Sequence, residues 1–209
     1  MARRCGGTRC DRLRPDNAST SARIAGAGFV AITPNLYSRG GRARCITRVF
    51  RELLTQRGRA LDDILAARDH VRSMPECTGA VAVVGFCMGG RFALVMAPKG
   101  FGASAPFYGT PLPRHLSETL DGACPIVASF GRRDPLGISA PARLRTVVDD
   151  KAITADIKVY PDAGHSFANK LPGQPLLRIT GFGYHDAATE DAYRRVFTFF
   201  TEHLASSET

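Results

Sequence analysis

The stretch VAVVGFCMGGRF, residues 81–92, joins an apolar run to a glycine-rich turn. The run before Gly85 lacks polar alternation, which is typical of a strand buried on both faces of a parallel sheet. A helix from about Met88 to Met96 is predicted to follow it. Cys87 stands at the bend between the two elements. A strand, a sharp turn and a helix in this order are the context of a nucleophile elbow.

The residues around Cys87 favour a nucleophile at the bend. Gly85 and Gly89 lie two positions before and after it, where the strained backbone of an elbow needs small neighbours, and Gly90 allows the helix to approach the sheet. A helix N-terminus favours a thiolate, and the backbone N–H of Met88 is the candidate oxyanion donor. The alternative is a structural cysteine that behaves as a small buried hydrophobe.

The rest of the chain alternates predicted strands and helices, and no internal repeat is visible. Strands are predicted at 28–33, 80–85, 103–109, 125–131 and 156–161, and helices at 16–25, 46–71 with a break at Gly58, 88–96, 140–150 and 187–204. This order predicts an α/β fold with a doubly wound, mostly parallel sheet. A single domain over residues 16–209 suits the length of the chain. Such sheets bind ligands beyond the carboxyl ends of their strands.

Two polar residues follow predicted strands in the manner of catalytic groups. Asp134 comes just after the strand at 125–131, and His165 just after the strand at 156–161. With Cys87 they complete the order nucleophile, acid, base. His165 would take the thiol proton, and Asp134 would orient the imidazole and stabilise its cation. Asp162 is a rival acid, but Asp134 is preferred because it follows an earlier strand.

Five segments, in this order and spacing, carry a resemblance to a known family. They are PNLYSRGG, GFCMGG, APFYG, GRRDP and YPDAGHSFAN. Over about residues 28–204 the chain resembles the dienelactone hydrolase family (carboxymethylenebutenolidase-like) of the α/β-hydrolase superfamily. The resemblance implies a cytosolic hydrolase with a Cys-His-Asp triad and no metal or organic cofactor. It also implies that Cys87 attacks a small ester or lactone (class EC 3.1.1) and forms an acyl-enzyme.

The same resemblance points to residues that would contact the substrate. Family members hold a substrate carboxylate with arginines, and Arg39 matches the one after the LY motif. Arg39 favours an anionic substrate, whereas Asn169 stands where the second arginine is found, which argues against dienelactone itself as that substrate. Tyr108 is expected to face the site, and Phe182 and Tyr184 are candidates to line it. For Arg39 the alternative is an ordinary solvated surface residue.

The start of the chain departs from the family. Residues 1–14 hold five arginines and one aspartate, or +4 of the net charge of +9. We expect a disordered or aberrant N-terminus over residues 1–15 and no nucleic-acid partner, because no aromatics interleave with the arginines. The family begins with further strands before Gly28, and a loop after them supplies the second oxyanion donor. The sheet is therefore expected to lack its first strands and the chain to be weakly active or poorly stable. The alternative function is a truncated, non-catalytic α/β-hydrolase-fold protein.

Composition limits the remaining possibilities. The six cysteines form no CxxC pair, so no metal site is predicted. The longest uncharged apolar run, from Ala80 to Gly90, is too short to span a bilayer, and the N-terminus has no apolar signal region. A cytoplasmic protein without a membrane partner is the expectation. The oligomeric state is left open.

Overall fold

A computed structural model describes residues 15–37, 42–170 and 181–205. Its strands are β1 (Ala82–Phe86), β2 (Ala103–Phe107), β3 (Ile126–Gly131) and β4 (Ala155–Tyr160). Its helices are α1 (Pro15–Gly26), α2 (Arg42–Thr55), α3 (Arg59–Arg72), α4 (Met88–Met96), α5 (Leu116–Thr119), α6 (Ala140–Asp150) and α7 (Asp186–Leu204). The arginine-rich segment of residues 1–14 lies outside the described residues, so its predicted disorder stays a prediction. None of the described helices combines the length and apolar character that crossing a membrane would require.

The four strands form one parallel sheet in the order β1-β2-β3-β4. The register pairs Phe86 with Phe107, Phe107 with Ser129 and Gly131 with Tyr160, so the carboxyl ends of neighbouring strands lie within two residues of one another. Helices α4, α5 and α6 lie along the chain between successive strands. The predicted α/β fold with a parallel sheet is therefore confirmed. Residues that follow different strands meet beyond the carboxyl ends of those strands.

Both faces of the sheet are covered at β2 and β3, whose residues are all buried, which explains why these two strands are largely apolar without alternation. One face packs against α7 through a cluster that includes Phe107, Val196 and Phe200. The other face packs against α4, with α2 and α3 beside β1 and with α5 and α6 beside β3. This two-sided covering is the doubly wound arrangement that the sequence predicts.

The break between α2 and α3 has a local cause. Gly58 has a φ of 122°, a conformation that L side chains rarely adopt. A Cβ at this position would lie 2.6 Å from Cγ of Glu52. The Glu52 carboxylate in turn accepts a hydrogen bond of 2.9 Å from the backbone N–H of Ala60. The glycine thus allows the carboxylate of α2 to bond to the first turn of α3.

The segment predicted as a strand at residues 28–33 forms no strand in the described structure. Phe29 packs against Phe197 and Phe200 of α7, whereas Val30 and Ile32 are exposed. Within the described residues, β1 pairs with β2 alone and lies at the edge of the sheet. A β-rich segment becomes a strand only when a neighbouring strand takes its hydrogen bonds, and among residues 15–37, 42–170 and 181–205 none does.

Candidate active site

Cys87 occupies the turn between β1 and α4. Its φ of 54° and ψ of −118° lie in a region that non-glycine residues rarely adopt, and such strain is concentrated at functional sites. Its backbone N–H donates to Phe107 O at 3.1 Å, and its carbonyl accepts from the Arg91 N–H at 3.2 Å. The side chain is exposed. The turn therefore presents a thiol at the N-terminus of α4.

Two of the three neighbouring glycines are required by close backbone contacts. A Cβ on Gly85 would lie 1.9 Å from the carbonyl oxygen of Gly89, and a Cβ on Gly90 would lie 2.5 Å from that of Phe107. Gly89 itself has open space where a Cβ would stand. The expected need for small residues thus holds at 85 and 90, while the described structure leaves room for a methyl group at 89.

Cys87, His165 and Asp134 lie in one row. His165 Nε2 is 3.1 Å from Cys87 Sγ, and His165 Nδ1 is 2.9 Å from Asp134 Oδ2. The imidazole is only 2% exposed and the carboxylate 1%. Each residue follows its own strand, β1, β3 and β4, so the level strand ends bring together three groups that are far apart in sequence.

The carboxylate of Asp134 is held by two further donors. The Leu136 backbone N–H donates to Oδ1 at 2.8 Å, and the Thr110 hydroxyl donates to Oδ2 at 3.2 Å. The rival acid Asp162 forms an exposed ion pair with Arg133 at 2.8 Å instead. Thr110 is not among the residues predicted from the sequence, although it stands three residues after β2, where the same strand-end rule places functional groups.

The backbone of His165 is fixed by the segment that precedes α7. The N–H of His165 donates to Gly181 O at 2.7 Å, and the N–H of Gly183 donates to His165 O at 3.0 Å. The ring of Phe182 lies 5.2 Å from the imidazole, centroid to centroid. Residues 181–183 therefore take part in positioning the imidazole.

A cavity of about 390 Å³ borders this segment. Phe182 and Tyr184, the two predicted pocket residues, are among those that line it, but Cys87 is not. The other lining residues of the cavity are Arg133, Asp162, Gly164, Gly181, Gly183 and His185.

The electrostatics of the row favour a charged thiolate and a charged imidazole. Partial burial alone would raise the pKa of the Cys87 thiol. Hydrogen bonds and charge from His165, together with the Met88 backbone N–H, outweigh burial, so the pKa of the thiol is lowered. Burial alone would lower the pKa of the His165 imidazole. Asp134 and Cys87 outweigh burial and raise that pKa to about 9. Both shifts favour a thiolate–imidazolium pair, which is a reactive form of cysteine.

The predicted substrate contacts fall in different surroundings. Tyr108 is fully buried, its ring lies 5.2 Å from that of His165, and its hydroxyl donates to Oδ1 of Asn169. Tyr108 thus packs against the imidazole and is joined to Asn169. Arg39 lies outside the described residues. The substrate roles of Arg39, Tyr108 and Asn169 stay predictions. The described residues contain no cluster of three or more His, Cys, Asp or Glu side chains suited to a metal ion.

Comparison with known proteins gives consistent matches. The model of the dienelactone hydrolase family matches residues 7–204. The chain is 31% identical over 169 residues to the carboxymethylenebutenolidase of Pseudomonas sp. strain P51, covering 75% of this chain and 69% of that protein. It is 28% identical over 201 residues to the carboxymethylenebutenolidase of Rhodococcus opacus, covering 88% of this chain and 74% of that protein.

A solved structure shares the fold of the described chain. The crystal structure of a Klebsiella pneumoniae protein superposes with a TM-score of 0.70 at 24% identity, covering 90% of this chain and 82% of that one. At this level of identity the match supports the fold alone.

Proposed function

Because the chain belongs to the dienelactone hydrolase family, we propose that it hydrolyses a carboxylic ester or lactone through Cys87, His165 and Asp134. The observation that carries the proposal is the continuous row of contacts from Sγ through the imidazole to the buried carboxylate. The names of the relatives, carboxymethylenebutenolidases, support a lactone or ester as the substrate class.

Acylation begins with the thiolate. Sγ of Cys87 attacks the carbonyl carbon, and the π electrons of the carbonyl move onto its oxygen. Collapse of this intermediate breaks the bond to the leaving oxygen, which takes the proton from Nε2 of His165. A thioester and a neutral imidazole remain. With a lactone the leaving oxygen stays attached to the acyl group, so nothing departs until the second half of the reaction.

Deacylation reverses the proton movements. Neutral His165 removes a proton from water, and the resulting hydroxide attacks the thioester carbonyl. The carbon–sulfur bond breaks, which releases the carboxylic acid and restores the thiolate–imidazolium pair. Asp134 holds Nδ1 throughout, which keeps Nε2 directed at the sulfur and stabilises the cation.

The negative oxygen formed in each half-reaction needs hydrogen-bond donors. Met88 stands at the first position of α4, and its N–H already contributes to lowering the pKa of the Cys87 thiol. We assign this N–H as one oxyanion donor, since donors at a helix N-terminus are directed toward developing negative charge.

Hydrolysis of p-nitrophenyl acetate, together with mass spectrometry, tests the proposal. We expect turnover that is lost after iodoacetamide treatment or in Cys87→Ala, and a transient acyl adduct on the peptide that contains Cys87. Cys77→Ala and Cys124→Ala are the matched controls, because neither thiol lies in the row of contacts, and both should retain turnover. Full activity of Cys87→Ala would refute the proposal.

A further inference from the structure

Tyr108 is a fully buried tyrosine that directly follows β2 in an uncommon backbone conformation. Its φ of 36° lies in the left-handed region, which bulky residues rarely adopt. Its backbone N–H donates to Ser129 O at 2.8 Å, and its carbonyl accepts from the Thr110 N–H at 2.8 Å. Strain of this kind persists only where the surrounding structure holds it, and it is concentrated at functional sites.

The side chain of Tyr108 contacts the loop of residues 165–169, which carries the proposed base. Its ring lies 5.2 Å from the imidazole of His165 and 5.2 Å from the ring of Phe167, centroid to centroid. Its hydroxyl donates a hydrogen bond to Oδ1 of Asn169. Tyr108 therefore connects the end of β2 to both ends of this loop.

The hydrogen bond to Asn169 adds direction to these ring contacts. Packing between apolar surfaces is non-directional, whereas a hydrogen bond fixes the position of one atom relative to another. The Asn169 N–H donates to Ser166 O at 2.9 Å, so the residue that accepts the Tyr108 hydroxyl belongs to a turn that begins beside the imidazole. The bond thus ties the phenol ring to the same loop as the imidazole that the ring contacts.

The imidazole is held by charge more strongly in one half-reaction than in the other. Before acylation, the Cys87 thiolate and the Asp134 carboxylate both attract the His165 imidazolium. In the acyl-enzyme the sulfur carries no charge and the imidazole is neutral, so both attractions are weaker. The ring must still direct Nε2 at the attacking water. Its orientation in this state therefore depends more on the side chains that pack against it.

We propose that Tyr108 is a positioning residue whose hydrogen bond to Asn169 keeps the His165 imidazole aligned for the attack of water on the acyl-enzyme. This inference rests on the proposed function and extends it to the deacylation step. In this role neither Tyr108 nor Asn169 contacts the reacting atoms. Loss of the bond should slow deacylation more than acylation, whereas a general loss of structure would slow both steps.

Single-turnover kinetics with p-nitrophenyl acetate and an excess of enzyme separate the two steps. Release of p-nitrophenolate measures acylation, and the decay of acetylated protein, sampled by acid quench and intact mass spectrometry, measures deacylation. In Tyr108→Phe the deacylation rate constant should fall about tenfold, the effect of one net hydrogen bond, and the acylation rate constant by less than about threefold. Tyr160→Phe is the matched control, because it removes another buried tyrosine's hydroxyl, which donates to Asp191 at 2.9 Å, and it should keep both rate constants.

A second variant tests the other side of the bond and does so even if Tyr108→Phe fails to fold. Asn169→Leu removes the acceptor at a half-buried position and should slow deacylation to the same extent. Where Tyr108→Phe folds, the double variant should deacylate no more slowly than either single variant, because both changes remove one shared bond. Failure of both single variants to fold would assign the pair a structural role and overturn the inference.

The kinetic outcomes distinguish this inference from the proposed function. Unchanged or faster deacylation in the folded variants, slowing of acylation by as much as deacylation, or additive effects in the double variant would overturn the inference. Each of these results leaves the proposed function standing, provided that the wild-type protein forms an acetyl adduct on Cys87. Absence of that adduct in the wild-type protein would refute the proposed function, and this inference with it.

Discussion

Nδ1 of His165 lies 2.9 Å from Oδ2 of Asp134, in a contact from which solvent is almost wholly excluded. The carboxylate therefore acts on the imidazole without screening by water, which strengthens their electrostatic interaction. This interaction helps to raise the pKa of His165 to about 9 against the opposing effect of its burial. A proton on the imidazole then stabilises the neighbouring thiolate.

Replacing the acid should remove this support. Asp134→Asn keeps the shape of the side chain but removes its charge and can stabilise the wrong imidazole tautomer, so kcat for p-nitrophenyl acetate should fall about 10³-fold. Asp162→Asn is the matched control, because Asp162 pairs with Arg133 on the exposed surface, and it should stay within twofold of wild type. The opposite ranking of the two variants would identify Asp162 as the acid.

The rate of alkylation should report the charge on the thiol. Because the pKa of Cys87 is lowered and that of His165 is raised to about 9, iodoacetamide should react rapidly at neutral pH. The rate should fall as acid protonates the thiolate, with a midpoint below that of an ordinary cysteine thiol. In His165→Gln the stabilising cation is absent, so the midpoint of the rate–pH curve should move to higher pH. Identical midpoints for the two proteins would contradict the thiolate–imidazolium pair.

Thr110 should act as a positioning residue through Asp134. Thr110→Val keeps the shape of the side chain but removes the hydroxyl that donates to Oδ2, and kcat should fall about tenfold, the effect of one net hydrogen bond. Thr110→Ser restores the donor and should recover most of kcat. A loss of Tm in Thr110→Val with kcat unchanged, or no recovery in Thr110→Ser, would assign Thr110 a purely structural role.

The two glycines that flank Cys87 should respond differently to a methyl group. Gly85→Ala would drive a Cβ into the carbonyl of Gly89, so Tm should fall by about 10 °C and activity with it. Gly89→Ala meets open space in the first turn of α4, where alanine favours the helix, so Tm should be unchanged or slightly higher. Equal changes in Tm for the two variants, measured by thermal unfolding, would show that the backbone shifts to make room for a Cβ at position 85.

The elements that could be predicted from the sequence are those with strong local signals. The run before Gly85 is continuous and apolar, and it forms β1 within two residues of the expected bounds. The helix predicted from 187 to 204 is α7, whose apolar side meets the sheet. Cys87, Asp134 and His165 could be selected because each follows such a strand, and the sheet brings those strand ends together.

Other features depend on partners that local sequence does not contain. The segment 28–33 has strand-like composition, but the described chain offers it no strand to pair with. The four-residue helix α5 is too short to show a helical period. That the enclosed Nε of Arg91 makes no hydrogen bond in the described structure can be seen only once the fold is known.

The level ends of the parallel strands also bear on how the protein could be altered. The register of the sheet fixes where Phe86, Gly131 and Tyr160 lie along their strands. The spacing of the reactive groups that follow them therefore depends little on the connections at the amino ends of the strands. Insertions there, for example between α6 and β4 at residues 151–154, should therefore be tolerated. New specificities could be explored by grafting loops beyond the carboxyl ends of the strands while the sheet is left untouched.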